Sequence, residues 1–201
     1  MKKVSLFLLL LSLLLGCSSP SGKESSQQQP ATQLATGLIA LYKMVPRARF
    51  WAPDAQPIRV ESEILKESNG HEGRSGYWRA TFASATKQKA EVFTWSGISS
   101  TDVPLGVDHG AEDSFNPSNR STQPFNLNVF KIDSDKAFEA AQQHGGKKLL
   151  AKDPSAGVKF AVDWDPQASQ LRWRISYIGN KIPDKLVIVV NASTGDFLHT
   201  E

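Results

Sequence analysis

Two stretches of this chain carry the same pattern, residues 78–82 (WRATF) and residues 173–177 (WRISY), and they lie 95 residues apart. In each stretch large apolar side chains alternate with polar ones, which is typical of a β-strand with one buried and one solvated face. At the same spacing, residues 92–93 (VF) correspond to residues 187–188 (VI). The order of the flanking elements also repeats, so the sequence predicts two similar units of helix and strand.

The remaining pattern predicts further helices and strands, separated by polar turns. Residues 34–52 place apolar side chains at steps of three and four, which predicts an amphipathic helix that Pro46 kinks or divides. A second helix is expected to begin at residues 133–135 and to end at Gly145 and Gly146, because glycine readily adopts the left-handed conformation that ends helices. Residues 97–123 are rich in Ser, Asp, Asn, Gly and Pro and are expected to form a long functional or mobile loop. Strands are expected at residues 58–64, 77–84, 90–95, 158–162, 171–177 and 186–190. Residues 125–132 are expected to form a strand or an extended segment that leads into the second helix.

The first residues, MKKVSLFLLLLSLLLGC, have the features of an export signal. Lys2 and Lys3 precede an apolar run at residues 4–15, which is shorter than the about 20 residues that span a bilayer. The run ends in Leu-Leu-Gly-Cys17, which resembles the lipobox of bacterial lipoproteins, where the cysteine thiol is acylated and becomes the mature N-terminus. In those lipoproteins an aspartate after the cysteine favours the inner membrane, so Ser18 implies the outer membrane. The alternative is an ordinary signal peptide that is cut elsewhere, with Cys17 incidental.

The composition of the chain excludes several classes of function and of site. The chain has 23 Lys and Arg against 20 Asp and Glu, and cleavage before Cys17 removes two of the lysines, so no basic excess points to nucleic acid. Cys17 is the only cysteine, and once it is acylated no thiol remains for a disulfide, a zinc site or a nucleophile. Residues 18–33 contain no large apolar side chain and are expected to form a flexible tether with a mean span of roughly 20–24 Å. The predicted organisation is a signal peptide at 1–16, an acylated cysteine and tether at 17–33, a first unit at 34–123 and a second unit at 124–201.

The second unit resembles a PepSY domain. The resemblance rests on an alanine-rich helix (AFEAAQQHGG), strands around LRWRISYI, and a last strand and turn in KLVIVVNASTGDFL. Thr194 and Gly195 match the turn of that family, whereas Asn191 stands where the family usually has aspartate. The resemblance implies an α+β fold of two tandem PepSY-like units, each a helix packed on an antiparallel sheet. It also implies a regulatory role, since PepSY units occur in propeptides that inhibit thermolysin-like proteases, and the paired arrangement resembles beta-lactamase inhibitory protein.

Catalytic motifs are absent from the sequence: it contains no HExxH, no GxSxG and no phosphate-binding loop. Aromatic side chains at strand positions are expected in the core or on the sheet rather than on a base-stacking platform; they are Trp78, Trp95, Trp164 and Trp173. Trp51 is expected to close the first core. One cluster of metal-ligand residue types occurs in a short segment, although its spacing does not fit a calcium loop and a solvated acidic loop is the alternative. Its members are Asp108, His109, Glu112 and Asp113.

These observations predict a non-enzymatic binding or regulatory lipoprotein that is held in the cell envelope, with its lipid in the outer membrane and its domain in the periplasm or at the cell surface. Its expected partners are the membrane and an envelope protein, such as a protease that it inhibits or modulates, with no cofactor. The expected partner surface is residues 97–123 or an exposed sheet face. Two alternatives stay open: a structural or assembly lipoprotein, and a hydrolase that uses the acids of residues 108–113.

Overall fold

The computed structural model describes residues 32–99, 103–179 and 186–201. The predicted signal peptide, Cys17 and almost all of the predicted tether therefore lie outside the described residues. The described ranges contain three α-helices: α1 (Gly37–Trp51), α2 (Ser134–Ala141) and α3 (Lys147–Lys152). The strands are β1 (Gln56–Ser62), β2 (Tyr77–Ser84), β3 (Lys89–Ser96), β4 (Gly106–Ser114), β5 (Gly157–Asp165), β6 (Gln170–Ile178), β7 (Leu186–Asn191) and β8 (Phe197–Thr200).

All eight strands form one sheet in the order β4-β3-β2-β1-β5-β6-β7-β8, and every neighbouring pair is antiparallel. The prediction of two tandem PepSY-like units, each with its own helix and sheet, is therefore wrong. The first strands of the two halves, β1 and β5, pair with each other through Arg59 opposite Asp163 and Glu61 opposite Ala161. The physical reason is that an unpaired edge strand exposes a row of backbone donors and acceptors, and here each half satisfies the inner edge of the other.

The helices cover one face of this sheet, and the core beneath them is continuous across the β1–β5 junction. Trp78 of β2 and Trp173 of β6 are fully buried and meet edge to face, with their ring centroids 6.4 Å apart. Phe160 of β5 packs against both indoles, at 6.3 Å and 6.2 Å. Trp95 is buried as expected, whereas Trp164 and Trp51 are partly buried at the margin of the core. One shared core is the second reason why the halves do not form separate units.

The N-termini of α1 and α2 meet at a single carboxylate, Asp133. Asp133 accepts hydrogen bonds from the amide of Ser134 in its own helix (2.7 Å) and from the amide of Leu38 in α1 (2.9 Å). Its second oxygen accepts the hydroxyl hydrogen of Thr36, the residue before α1. One aspartate therefore satisfies unpaired amides at the start of two helices, whose positive dipole ends also favour its charge.

Four local predictions are tested by the structure. Residues 97–123 are not one long loop, because residues 106–114 form the edge strand β4. Residues 125–132 contain a short 3-10 turn, Leu127–Val129, instead of a strand. The backbone leaves helical φ/ψ at His144 and Gly145, where Gly145 has the expected positive φ of 117°, so the helical path from Ser134 is broken by a kink at the predicted glycines. The helix α3 begins directly after this kink. Pro46 lies within the single helix α1 and does not divide it.

Candidate functional site

The face of the sheet that the helices leave open is lined by charged side chains. Along each central strand every second residue points to this face, and several of these positions carry charge, while the intervening residues enter the core. We call this set the charge ladder. Its members are Arg59, Glu61, Glu63, Arg79, Lys159, Asp163, Asp165, Arg172 and Arg174.

Asp163 is the centre of the charge ladder. Its carboxylate accepts hydrogen bonds from Arg59 (2.6 Å), Arg172 (3.1 Å) and Arg174 (2.7 Å), which lie on the two neighbouring strands. The Asp163 side chain is 16% exposed, so water screens these pairs only in part. Arg59 and Arg172 each reach a second acid as well, Glu61 at 3.0 Å and Asp165 at 2.8 Å. The cluster therefore holds charges of both signs at fixed positions, which favours a partner with a complementary charge pattern.

Asp165 lies at the end of the ladder, where it pairs with Arg172 at 2.8 Å. Burial acts to raise the pKa of Asp165, but the backbone amides of Ala168 and Gln167 and the charge of Arg172 together lower it below its ordinary value. The carboxylate is therefore ionised throughout the neutral range, and the ladder keeps its charge pattern there.

At the β1–β2 side of the ladder, Arg79 links two acids, with Glu61 at 2.9 Å and Glu63 at 3.9 Å. Glu63 also pairs with Lys159 across the β1–β5 junction at 2.9 Å. The Nε atom of Arg79 is the one buried side-chain donor or acceptor in the described part of the chain that has no hydrogen-bond partner.

Two grooves flank Arg59 on the same face. The first has a volume of about 510 Å³ and runs over Asp163 and Arg172, and the second, about 440 Å³, runs over Thr81 and Phe115. Thr122 lines both of them, because the connection between β4 and α2 passes along this end of the sheet. That connection is fixed where the Phe125 amide donates to the Pro57 carbonyl at 2.8 Å. The volumes fall in the range of small-ligand sites or of side-chain pockets for a bound peptide.

The four sequence-predicted metal candidates lie together on the exposed edge strand β4 but do not converge. Asp113 accepts the amide hydrogen of Ser114, and Asp108 lies opposite Thr94. Glu112 accepts the indole hydrogen of Trp51 (2.7 Å) and pairs with Lys87 (2.9 Å). The Trp51 hydrogen bond, followed by Lys87, lowers the pKa of Glu112. Among residues 32–99, 103–179 and 186–201, no three His, Cys, Asp or Glu side chains come close enough to hold a metal ion.

The fourth candidate, His109, pairs with Glu91, a residue that sequence reasoning missed. Glu91 is buried, and its carboxylate contacts Nδ1 of His109, whose ring stacks on Phe93. The pair faces a cavity of about 450 Å³ that Arg47 and Trp51 also line. A signal was present in the sequence, because Glu91 shares a strand face with Phe93 and Trp95, where an apolar residue is expected.

Comparison with known proteins gives one informative match. The structure resembles a solved crystal structure named "putative lipoprotein (CD1622)" from Clostridium difficile 630, with a TM-score of 0.55 and 14% sequence identity. The match covers 81% of this chain and 91% of that one. This likeness shows the fold. No protein-family model matches the chain and no curated protein matches it in sequence, so the PepSY resemblance is not confirmed.

The part of the chain that the structure describes contains three α-helices. None of its helices combines the length and the apolar character that a bilayer-crossing helix needs. The lipidation of Cys17 stays a prediction, because that residue lies outside the described ranges.

Proposed function

We propose that this protein is a lipid-anchored lipoprotein of the bacterial cell envelope that binds a partner protein through the helix-free face of its sheet and performs no catalysis. The observation that carries the proposal is the charge ladder with its two flanking grooves, which together form an open face built of half-buried, mutually oriented charges. Such a face has geometric specificity but lacks a nucleophile beside a base, so recognition is the chemistry that it supports best.

The anchor part of the proposal is supported by the N-terminal sequence. The apolar run, the small residue before Cys17 and the polar segment after it fit an acylated cysteine on a tether. The structural neighbour is itself named a putative lipoprotein, which agrees with this assignment. Ser18 favours the outer membrane, with the domain in the periplasm. The partner that we propose is an envelope protein, such as a protease whose activity the bound domain modulates.

Two measurements test the lipid anchor. Mass spectrometry of the N-terminal peptide from membranes is expected to show an acylated Cys17, and Cys17→Ala is expected to abolish the modification and release the protein from the membrane. An unmodified Cys17 in membrane-bound protein would contradict the anchor. This outcome is independent of whether the sheet face binds a partner.

The binding face is tested by cross-linking in intact cells with a matched pair of variants. Thr122→Trp fills both grooves from an exposed position. Asn128→Trp adds the same side chain at an exposed position of the 3-10 turn Leu127–Val129, and residue 128 lines neither groove. We expect the same cross-linked partner with the natural chain and with Asn128→Trp, and its loss with Thr122→Trp. Equal recovery with all three chains would show that binding occurs elsewhere.

One observation favours a second candidate, hydrolysis. A buried carboxylate that holds Nδ1 of an imidazole leaves Nε2 to act as a base towards water, and Glu91 and His109 have this arrangement beside a cavity. The test is a panel of ester, glycoside and peptide substrates. Turnover that His109→Gln abolishes, while the unfolding midpoint stays unchanged, would replace the non-catalytic proposal.

A further inference from the structure

The outer surface of α1 has an unusual composition for a helix that covers a sheet. Its inner side is buried in the core at Ala40, Leu41, Met44 and Ala48. Its exposed side consists of large apolar and basic residues, and α1 contains no acidic residue at all. We call this exposed side the α1 outer face. Its residues are Ile39, Tyr42, Lys43, Pro46, Arg47, Arg49 and Phe50.

Exposed apolar side chains are concentrated at this face. In the described part of the chain eight large hydrophobic side chains are exposed, and half of them lie on α1 or just before it: Leu34, Ile39, Tyr42 and Phe50. Phe50 is 90% exposed, so its ring contacts almost nothing in the domain. Single exposed apolar residues need no explanation, but a cluster on one helix marks an interaction surface.

The basic residues of the same face form no ion pair in the described part of the chain. Within the described ranges neither Arg47 nor Arg49 has a carboxylate within 4 Å, and Lys43 lies over the ring of Trp95 at 5.7 Å instead of in an ion pair. Their charges therefore project to the outside beside Ile39 and Phe50. Helices that lie in the interface of an anionic bilayer have this composition, with aromatic and aliphatic side chains bordered by Lys and Arg.

The position of α1 next to the anchor indicates that the membrane is the partner of the α1 outer face. The sixteen residues from Ser18 to Gln33 join Cys17 to the segment that enters α1, so α1 is the element of the domain that follows the tether directly. Sixteen residues span at most about 58 Å even when fully extended, so an acylated Cys17 keeps the domain within reach of the lipid headgroups. It also raises the effective concentration of the surface so far that weak contacts suffice for docking.

We propose that the α1 outer face docks on the anionic lipid surface into which Cys17 is anchored. Phe50, Ile39 and Tyr42 enter the headgroup region, and Lys43, Arg47 and Arg49 contact the lipid phosphates. This inference rests on the proposed acylation of Cys17. Docking in this way turns the charge ladder, on the opposite side of the sheet, away from the membrane and towards the periplasmic space.

The test uses the acylated full chain reconstituted into vesicles, with a nitroxide label at Pro46→Cys. Pro46 is exposed on the outer face, and Cys17 is the only natural cysteine, so the label is attached at one position once Cys17 is acylated. Accessibility to dissolved oxygen and to a water-soluble nickel chelate is measured in phosphatidylcholine vesicles and in vesicles that also contain phosphatidylglycerol. We expect the label to be shielded from the chelate only in the anionic vesicles.

Charge reversal is the second arm of the experiment. Lys43→Glu with Arg47→Glu is expected to return the label to water, because each basic residue removed from an anionic surface weakens docking by about fivefold. Lys66→Glu with Arg120→Glu changes the net charge equally at exposed sites away from α1 and is expected to leave the label shielded. Mass spectrometry of Cys17 in the same samples separates a failure of the anchor from a failure of docking.

Three results would overturn the proposal while Cys17 is acylated. The first is a label that stays in contact with the chelate in both kinds of vesicle. The second is shielding that is equal in both vesicles and insensitive to reversal of Lys43 and Arg47, which would exclude docking driven by charge. The third is shielding that occurs only when envelope proteins are added, which would assign the face to an acidic protein partner.

Discussion

The helix-free face of the sheet and the α1 outer face both carry several cations, but they use them in opposite ways. On the sheet, Arg59, Arg172 and Arg174 all contact one carboxylate, and the charges order one another. On α1, Arg47 and Arg49 have no such partner in the described ranges, and large apolar side chains are exposed on the same side of the helix. The difference teaches that a count of charges does not identify a binding surface: paired charges give geometric selectivity, whereas unpaired ones give attraction to an extended anionic surface.

The largest expected effect lies beneath the helices, where the two halves of the core meet. Trp173→Ala is expected to lower the free energy of unfolding by about 3–5 kcal/mol, because the indole is fully buried against Trp78 and Phe160. Urea unfolding followed by circular dichroism measures the loss. Trp164→Ala, at the partly buried margin, is the control with a smaller expected loss. Equal losses for the two variants would contradict a single core centred on Trp173.

The second-largest expected loss of stability is that of Asp133→Ala. This substitution removes the cap of α2 and the acceptor of the Leu38 amide in α1, and each cap contributes about 1 kcal/mol, so we expect a loss of about 2 kcal/mol. Asp135→Ala removes an acid of the same turn that reaches only its own helix, and it is expected to cost less than half as much. If both variants lose the same stability, Asp133 does not cap two helices.

The centre of the charge ladder is expected to matter less for stability than the core. Asp163→Asn removes the carboxylate that three guanidinium groups share, although Arg59 keeps Glu61 and Arg172 keeps Asp165. We expect a loss of about 1 kcal/mol, because these groups are partly solvated. The same variant is expected to abolish the partner cross-link described above. A loss as large as that of Trp173→Ala, measured by urea unfolding, would show that the ladder is a structural element instead of a binding surface.

The smallest expected effect is a pH dependence. The pKa of Asp165 is lowered in the folded chain, so its carboxylate stabilises the fold above the ordinary pKa, and this contribution disappears as the pH falls through the lowered value. Asp165→Asn is therefore expected to destabilise the protein slightly at pH 7 and to approach the natural chain at acid pH. A destabilisation that is greater in acid than at neutral pH would reverse the sign and contradict the assignment.

Local patterns in the sequence predict the elements of this fold better than their assembly. The alternation around Trp78 and Trp173 places β2 and β6 correctly, because each strand has one buried face. The pairing of β1 with β5 joins residues that are about a hundred positions apart, and no periodicity within either strand encodes it. The edge strand β4 was missed because most of its side chains are exposed, which removes the apolar alternation that identifies a strand.

The candidate site was predictable only in part. An exposed sheet face was expected as a partner surface, but the convergence of Arg59, Arg172 and Arg174 on Asp163 depends on the β1–β5 pairing and so was not visible. The expected metal cluster on residues 108–113 followed from their closeness in sequence. In a strand, successive side chains point to opposite faces, which separates Asp108 from His109 and Glu112 from Asp113. His109 and Glu112 line the same cavity, but different partners hold them, Glu91 for the first and Trp51 with Lys87 for the second.

The central claim is that the two surfaces have different neighbours, with lipid at α1 and a protein partner at the charge ladder. It is tested most directly by attaching the same fluorophore at Pro46→Cys or at Thr81→Cys on the helix-free face of the acylated protein in anionic vesicles. The measured quantity is quenching by a water-soluble ion. We predict a fluorophore that is protected at residue 46 and freely quenched at residue 81. Equal quenching at the two positions, or protection at residue 81 alone, would contradict the account.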